Sequence, residues 1–169
     1  VRRPALTKDD TAARLAIIDK LHRYCRSVDR LDIAEGHRVF HPDATADFGA
    51  TYKGSGRGWI DFICAEHRKF LHHSHQVTNV IIDVDGNRAG SAAYVFAALR
   101  RTDGEQVIQH EFWARYIDKW SCRDGEWAID SRICLVDFGS TRAVDSIPGD
   151  PRSQRNPQDP SYFVLKGLP

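Results

Sequence analysis

Two residues of this 169-residue chain are of the types that move protons, and their local context singles them out. Asp29 falls at the C-terminal end of a helical stretch, where the helix dipole disfavours an anion by some tenths of a kcal/mol up to about 1 kcal/mol. Either that carboxylate is solvated and paired with Arg26 or Arg30, or it accepts a hydrogen bond from a histidine, fixing the ring's tautomer and strengthening it as a base. His75, which opens the strand-like segment His75-Gln-Val-Thr-Asn79, is the candidate partner. Arg132, in Trp127-Ala-Ile-Asp-Ser-Arg132, is bordered by apolar positions and reads equally as a buried ion-pair partner or as a clamp for a developing anion. Tyr24 lies five residues before Asp29, about 140° away on an ideal helix. Its ring packs, or its hydroxyl serves a leaving group or a substrate oxygen. Tyr94, His110 and Asn79 are candidates for binding substrate. His67, His72, His73 and His75 are clustered, with His73 and His75 on one face of a strand. No Asp or Glu stands at ligand spacing to them, so no metal is expected, and His72 and His73 read as surface residues.

These residues need elements to hold them. Thr7 and Asp10 form a capping box ahead of Leu15, Ile18, Leu21, Cys25 and Val28, which predicts an amphipathic helix ending near Asp29. A second short helix spans Ile33 to Phe40 and is closed by His41-Pro42. Thr45 to Tyr52 reads as a short strand or hairpin, and a glycine-rich loop leads to a third helix from Trp59 to about Leu71. Thereafter β-branched and aromatic residues dominate, punctuated by Asp85-Gly86, Asp103-Gly104 and Asp124-Gly125, each a hairpin signal. The segments between them (about 75–84, 88–101, 106–122 and 127–138) form an antiparallel meander, and the alanine-rich run Ala89–Ala98 leaves room for a concave face. The fold class is therefore α+β: a strongly curved antiparallel sheet making a cup, with three N-terminal helices at its mouth. Residues 1–138 are one domain. Residues 139–169, rich in proline and polar side chains, are an extended arm anchored by Tyr162, Phe163, Val164 and Leu165 on the body or a neighbouring subunit, or else a disordered terminus.

Composition narrows the partners. A formal net charge of +1 with scattered basic residues predicts no nucleic-acid partner. A polar N-terminal stretch and the lack of a long apolar run predict neither a secretory signal nor a membrane span. Four cysteines without C-x-x-C spacing read as reduced thiols in a cytoplasmic protein.

From about Ala12 to Phe138 the chain resembles the SnoaL-like branch of the nuclear transport factor 2 superfamily, which includes scytalone dehydratase, bile acid 7α-dehydratase and lindane dehydrochlorinase. The resemblance rests on Tyr24-Cys-Arg-Ser-Val-Asp29, on His75-Gln-Val-Thr-Asn79, and on Asp124-Gly-Glu-Trp127 followed by Arg132. It implies a cone-shaped α+β barrel, often in a trimer, enclosing a pocket for a small hydrophobic molecule. There an Asp-His pair, here Asp29 and His75, removes a proton without metal, nucleotide or other cofactor. Arg132 falls where related lyases place an active-site arginine. Tyrosine at position 24 is similar to the bile acid dehydratase, where the dehalogenating relative has lysine, and so favours loss of water from a cyclic steroid or polyketide. Rival readings are an isomerase or aldol-type cyclase using the same base, and a non-catalytic ligand-binding protein or small subunit of a ring-hydroxylating oxygenase, since one fold hosts many functions.

Overall fold

A computed structural model describes residues 7–145, 147 and 149–165; residues 1–6, 146, 148 and 166–169, which include the charged N-terminal stretch and the end of the arm, lie outside it. The first helix, α1 (Lys8–Arg30), starts on the expected capping box: Asp10 N–H donates to Thr7 Oγ1 and Thr7 N–H to Asp10 Oδ2, each at 3.0 Å. Its buried stripe is Ala13, Ile17, Leu21, Tyr24, Cys25 and Val28. Leu15, expected in that stripe, is 64% exposed, because at 100° per residue it stands about 200° from Ile17. The second helix, α2 (Ile33–His37), is shorter than expected. His41-Pro42 does not terminate it but lies inside strand β1 (Phe40–Asp47), where the pairing register shifts between Phe40 and Thr45. An interrupted ladder is the place where a strand tolerates a residue without an N–H. A three-residue strand β2 (Lys53–Ser55) precedes α3 (Gly56–His67), which begins three residues earlier and ends four residues earlier than the apolar pattern implied.

Strands β3 (His72–Asp85), β4 (Arg88–Asp103), β5 (Gln106–Arg123) and β6 (Glu126–Val144) form the expected meander. In the first two hairpins the aspartate is the last strand residue and the turn is Gly86-Asn87 or Gly104-Glu105; only Asp124-Gly125 supplies both central positions, at φ 54° and 82°. The six strands make one curled sheet in the order β2-β1-β6-β5-β4-β3. One pairing departs from the antiparallel expectation, since β1 runs parallel to β6. No hairpin joins those two strands, so no turn fixes their relative direction. The helices close the concave side, and Ile17, Leu21, Val28, Phe40, Ile60, Trp120 and Ile129 form the core between them and the sheet.

The last strand continues past Phe138 to Val144, six residues beyond the expected end. The following segment returns to the ends of α1 and α3. Arg30 pairs with Asp159 at 3.2 Å, Tyr162 Oη donates to Asp32 at 2.9 Å, and the Arg26 guanidinium lies 4.4 Å from the Tyr162 ring centre. Of the four expected anchors Tyr162 alone is buried; Phe163, Val164 and Leu165, on or near the helix α4 (Ser161–Leu165), are exposed. No helix among the described residues is long and apolar enough to cross a membrane.

Candidate active site

Helix α1 stops where Leu31 turns left-handed (φ 56°) and sends its N–H back to the Ser27 and Val28 carbonyls, which leaves Asp29 in the final turn. Beside it runs β3, the edge strand of the sheet, whose outward N–H groups have no strand partner. Asp29 meets both needs of one residue there. His75 Nδ1 donates to Oδ1 at 2.7 Å, and His75 N–H donates to Oδ2 at 2.9 Å. An ionised carboxylate only accepts, so Nδ1 carries the ring proton and the lone pair sits on Nε2, the arrangement of an oriented base. The two side chains are 10% and 13% exposed.

His75 forms part of the wall of a cavity of about 320 Å³. From β4 come Val95, Ala97 and Leu99, from β5 Phe112, Ala114 and Tyr116, and from α3 Trp59, Phe62 and Ile63, so the wall is mostly apolar. The small Ala97 and Ala114 leave the room anticipated for a concave face. Phe48 stacks on Trp59 with ring centres 3.5 Å apart, closing one side. Asp29 does not line this chamber. It borders, with His22 and Arg26, a neighbouring surface groove, and His75 lines both that groove and the cavity.

Tyr24 reaches the same cavity from α1. Trp59 Nε1 donates to its hydroxyl oxygen at 2.8 Å, which occupies an acceptor site and leaves the phenolic proton for another partner. Burial pushes that phenol up to about 12, against the opposing charge of Arg132, so the group keeps its proton at neutral pH. Arg132 itself is not a wall residue. Its side chain is buried and gives two hydrogen bonds of 2.8 Å to Asp118, equally buried. Its guanidinium lies 4.1 Å from the Tyr24 ring centre and 4.0 Å from that of Tyr116. Of the two sequence readings the ion pair is therefore the one realised. Arg132 does not line the cavity; Tyr24 and Tyr116, whose rings lie against its guanidinium, do.

The three candidates for substrate contact lie elsewhere. Tyr94 is 53% exposed on the outer face, because the odd-numbered residues of β4 point inward. Asn79 is exposed at a register shift of β3, with φ 50°. His110 shares the parity of Phe112 and Ala114 but lies beyond the rim, where its Nδ1 meets Thr141 Oγ1 at 2.9 Å and its Nε2 accepts from Arg101 at 3.1 Å.

The histidine cluster also differs from expectation. His73 is buried, not on the surface, and its Nε2 donates to the Val28 carbonyl at 2.9 Å. His67 was missed as a wall residue; its signal is that it follows Ile60 and Cys64 at helical spacing on the buried side of α3. Its ring lies 4.3 Å from that of His73 and 5.5 Å from that of His75. Burial first, and then His73, His75 and Arg155, push its pKa down to about 2, so it is neutral.

A family model described as a SnoaL-like domain matches residues 9–133. No curated protein matches the chain. Among solved structures, a protein of Novosphingobium aromaticivorans provisionally named scytalone dehydratase is 21% identical with a TM-score of 0.71, covering 86% of this chain and 99% of its own. The hexachlorocyclohexane dehydrochlorinase LinA-type3 of Novosphingobium barchaimii is 19% identical with a TM-score of 0.73, covering 83% and 98%. The beta subunit of a protein provisionally named an aromatic-ring-hydroxylating dioxygenase, also from N. aromaticivorans, is 19% identical with a TM-score of 0.64, covering 78% and 93%. At these identities the likeness is one of fold, and the three are a dehydratase, a dehydrochlorinase and an oxygenase subunit by name. The curled sheet, the apolar cavity and the family match over most of the chain agree: this protein belongs to the SnoaL-like domain family.

Proposed function

We propose that the protein is a cofactor-free lyase that eliminates water from a hydrophobic cyclic substrate of steroid or polyketide type. The observation that carries this reading is the 2.7 Å contact between Asp29 and His75 at the wall of an apolar cavity. His75 Nε2 takes the proton from a carbon made acidic by a neighbouring carbonyl, and the C–H electron pair becomes the new C=C bond. The C–O bond to the adjacent carbon breaks, and the departing hydroxyl takes the Tyr24 phenolic proton and leaves as water. Trp59 N–H and the Arg132 charge steady the phenolate, Asp29 steadies the imidazolium, and transfer of the proton from His75 back to Tyr24 restores the protein. A purely ligand-binding subunit has no use for an imidazole locked in its basic tautomer at the cavity wall, so the dyad favours catalysis. On the outer face Trp113 stacks on Phe138 and meets Phe96 at a tilt, beside exposed Tyr94, Ile133 and Leu135, which supports a homo-oligomer, a trimer by resemblance.

Incubation with cyclic β-hydroxy ketones, read by mass spectrometry, tests the reaction: the product should be lighter by one water, whereas an isomerase leaves the mass unchanged. His75→Ala should lower turnover by about a hundredfold to ten-thousandfold while the protein stays folded. Retention of most activity in that variant removes His75 as the base.

A further inference from the structure

His67 is a buried polar side chain of the cavity wall. It closes α3, is 4% exposed, and forms a triangle with the rings of His73 and His75, 4.3 Å from the first and 5.5 Å from the second. Its backbone carbonyl accepts from Arg155 at 3.0 Å, but its buried Nδ1 meets no hydrogen-bond partner among the described residues. The neighbouring imidazoles differ in this respect. His73 is held by the Val28 carbonyl and by Arg155, and His75 by Asp29. A buried ring nitrogen without a partner destabilises the fold relative to a phenyl ring of similar size. Packing alone would therefore favour Phe at this position, in a wall already built from Phe48, Phe62 and Phe70. An imidazole there makes sense as a recognition group.

We propose that His67 contacts the substrate: its imidazole hydrogen-bonds an oxygen next to the C–H bond that His75 attacks, so that the cavity selects oxygen-bearing rings over hydrocarbons or halocarbons of similar shape. With ring centres 5.5 Å apart on one cavity wall, the two imidazoles are close enough for one small substrate to meet both. The groups around His67 keep it suited to this. Burial first, and then the rings of His73 and His75 and the fixed charge of Arg155, oppose its protonation, and Glu66, the other titratable group of α3 on the wall, is paired with Lys69 at 2.6 Å. A neutral imidazole has one donor and one acceptor and so takes either a carbonyl or a hydroxyl.

This inference rests on the cavity being the reaction chamber, and the test separates the two readings because its probes cannot undergo elimination. Equilibrium dialysis measures the affinities of 2-naphthol and naphthalene for the wild type and for His67→Phe. The ratio of naphthol to naphthalene affinity should fall about tenfold in the variant, the usual worth of one buried hydrogen bond. A ratio that changes by less than about twofold, or a wild type that binds no naphthol, overturns the proposal. Should the variant not fold, nitrogen NMR of the wild type decides: 2-naphthol must move the His67 ring signals, and unmoved signals overturn it. A ratio that responds to His67 in a protein that dehydrates no β-hydroxy ketone would retain the contact and discard the lyase.

Discussion

Acid should destabilise this protein at a higher pH than its carboxylates require, through His67. Folding takes that imidazole out of water and pushes its pKa down to about 2, through burial first and then through His73, His75 and Arg155, whereas the unfolded chain restores the ordinary value of 6.5. Between those values the unfolded state holds more protons than the folded one, so stability rises with pH and is progressively lost as pH falls below about 6.5. A full proton is worth about 1.4 kcal/mol for each tenfold change in acidity. Allowing for half-titration at the upper end, acidification from about pH 6.5 to about pH 4.5 should cost about 2 kcal/mol at His67 alone. His73, also lowered chiefly by burial, adds in the same direction. Asp159 acts in a lower window: hydrogen bonds from Ser161 bring it down to about 2 from 3.8, so its stabilisation is lost only as pH falls below about 3.8. Urea unfolding of the wild type and His67→Phe at both pH values isolates the effect. The variant should lose about 2 kcal/mol less than the wild type on acidification, and equal losses would refute the argument.

Two further substitutions probe the buried layer behind the cavity. Asp118→Ala strands the Arg132 cation in the core and should cost about 3–5 kcal/mol by chemical denaturation; a loss below about 1 kcal/mol would mean that the pair is not the buried bridge seen here. Tyr24→Phe deprives Trp59 Nε1 of its acceptor, costing about 1–3 kcal/mol, and should lower kcat by about a hundredfold or more if the phenol protonates the leaving group; an unchanged kcat would remove it from that role.

Much of the fold was legible because it is set locally. The Thr7–Asp10 capping box, the glycines of the three hairpins and the alternation along the strands each fix structure within a few residues. Legibility failed where distant segments decide. Phe40-His41-Pro42 has no strong strand pattern of its own and becomes β1 only because β6 offers it a parallel partner. Tyr94 looks like a wall residue until the inward parity of β4 is known. The last strand extends to Val144 because β5 supplies a partner as far back as Val107. The anchoring of the arm depends on Asp32 and Arg26, more than a hundred residues away in sequence.

The same division holds for the site. Residue types alone marked Asp29 and His75 as groups able to exchange a proton and left Arg132 open between an ion-pair partner and a clamp for a developing anion, since those properties belong to the side chains and their immediate neighbours. Tertiary structure decided which partner each one met: Asp118 for Arg132, Trp59 for Tyr24, and two imidazoles against His67. It decided also that Arg132 stands behind a pair of tyrosine rings and not in the chamber. The physical reason is that hydrogen bonds and desolvation depend on distances of a few ångströms between groups far apart along the chain, and the curl of the sheet sets those distances.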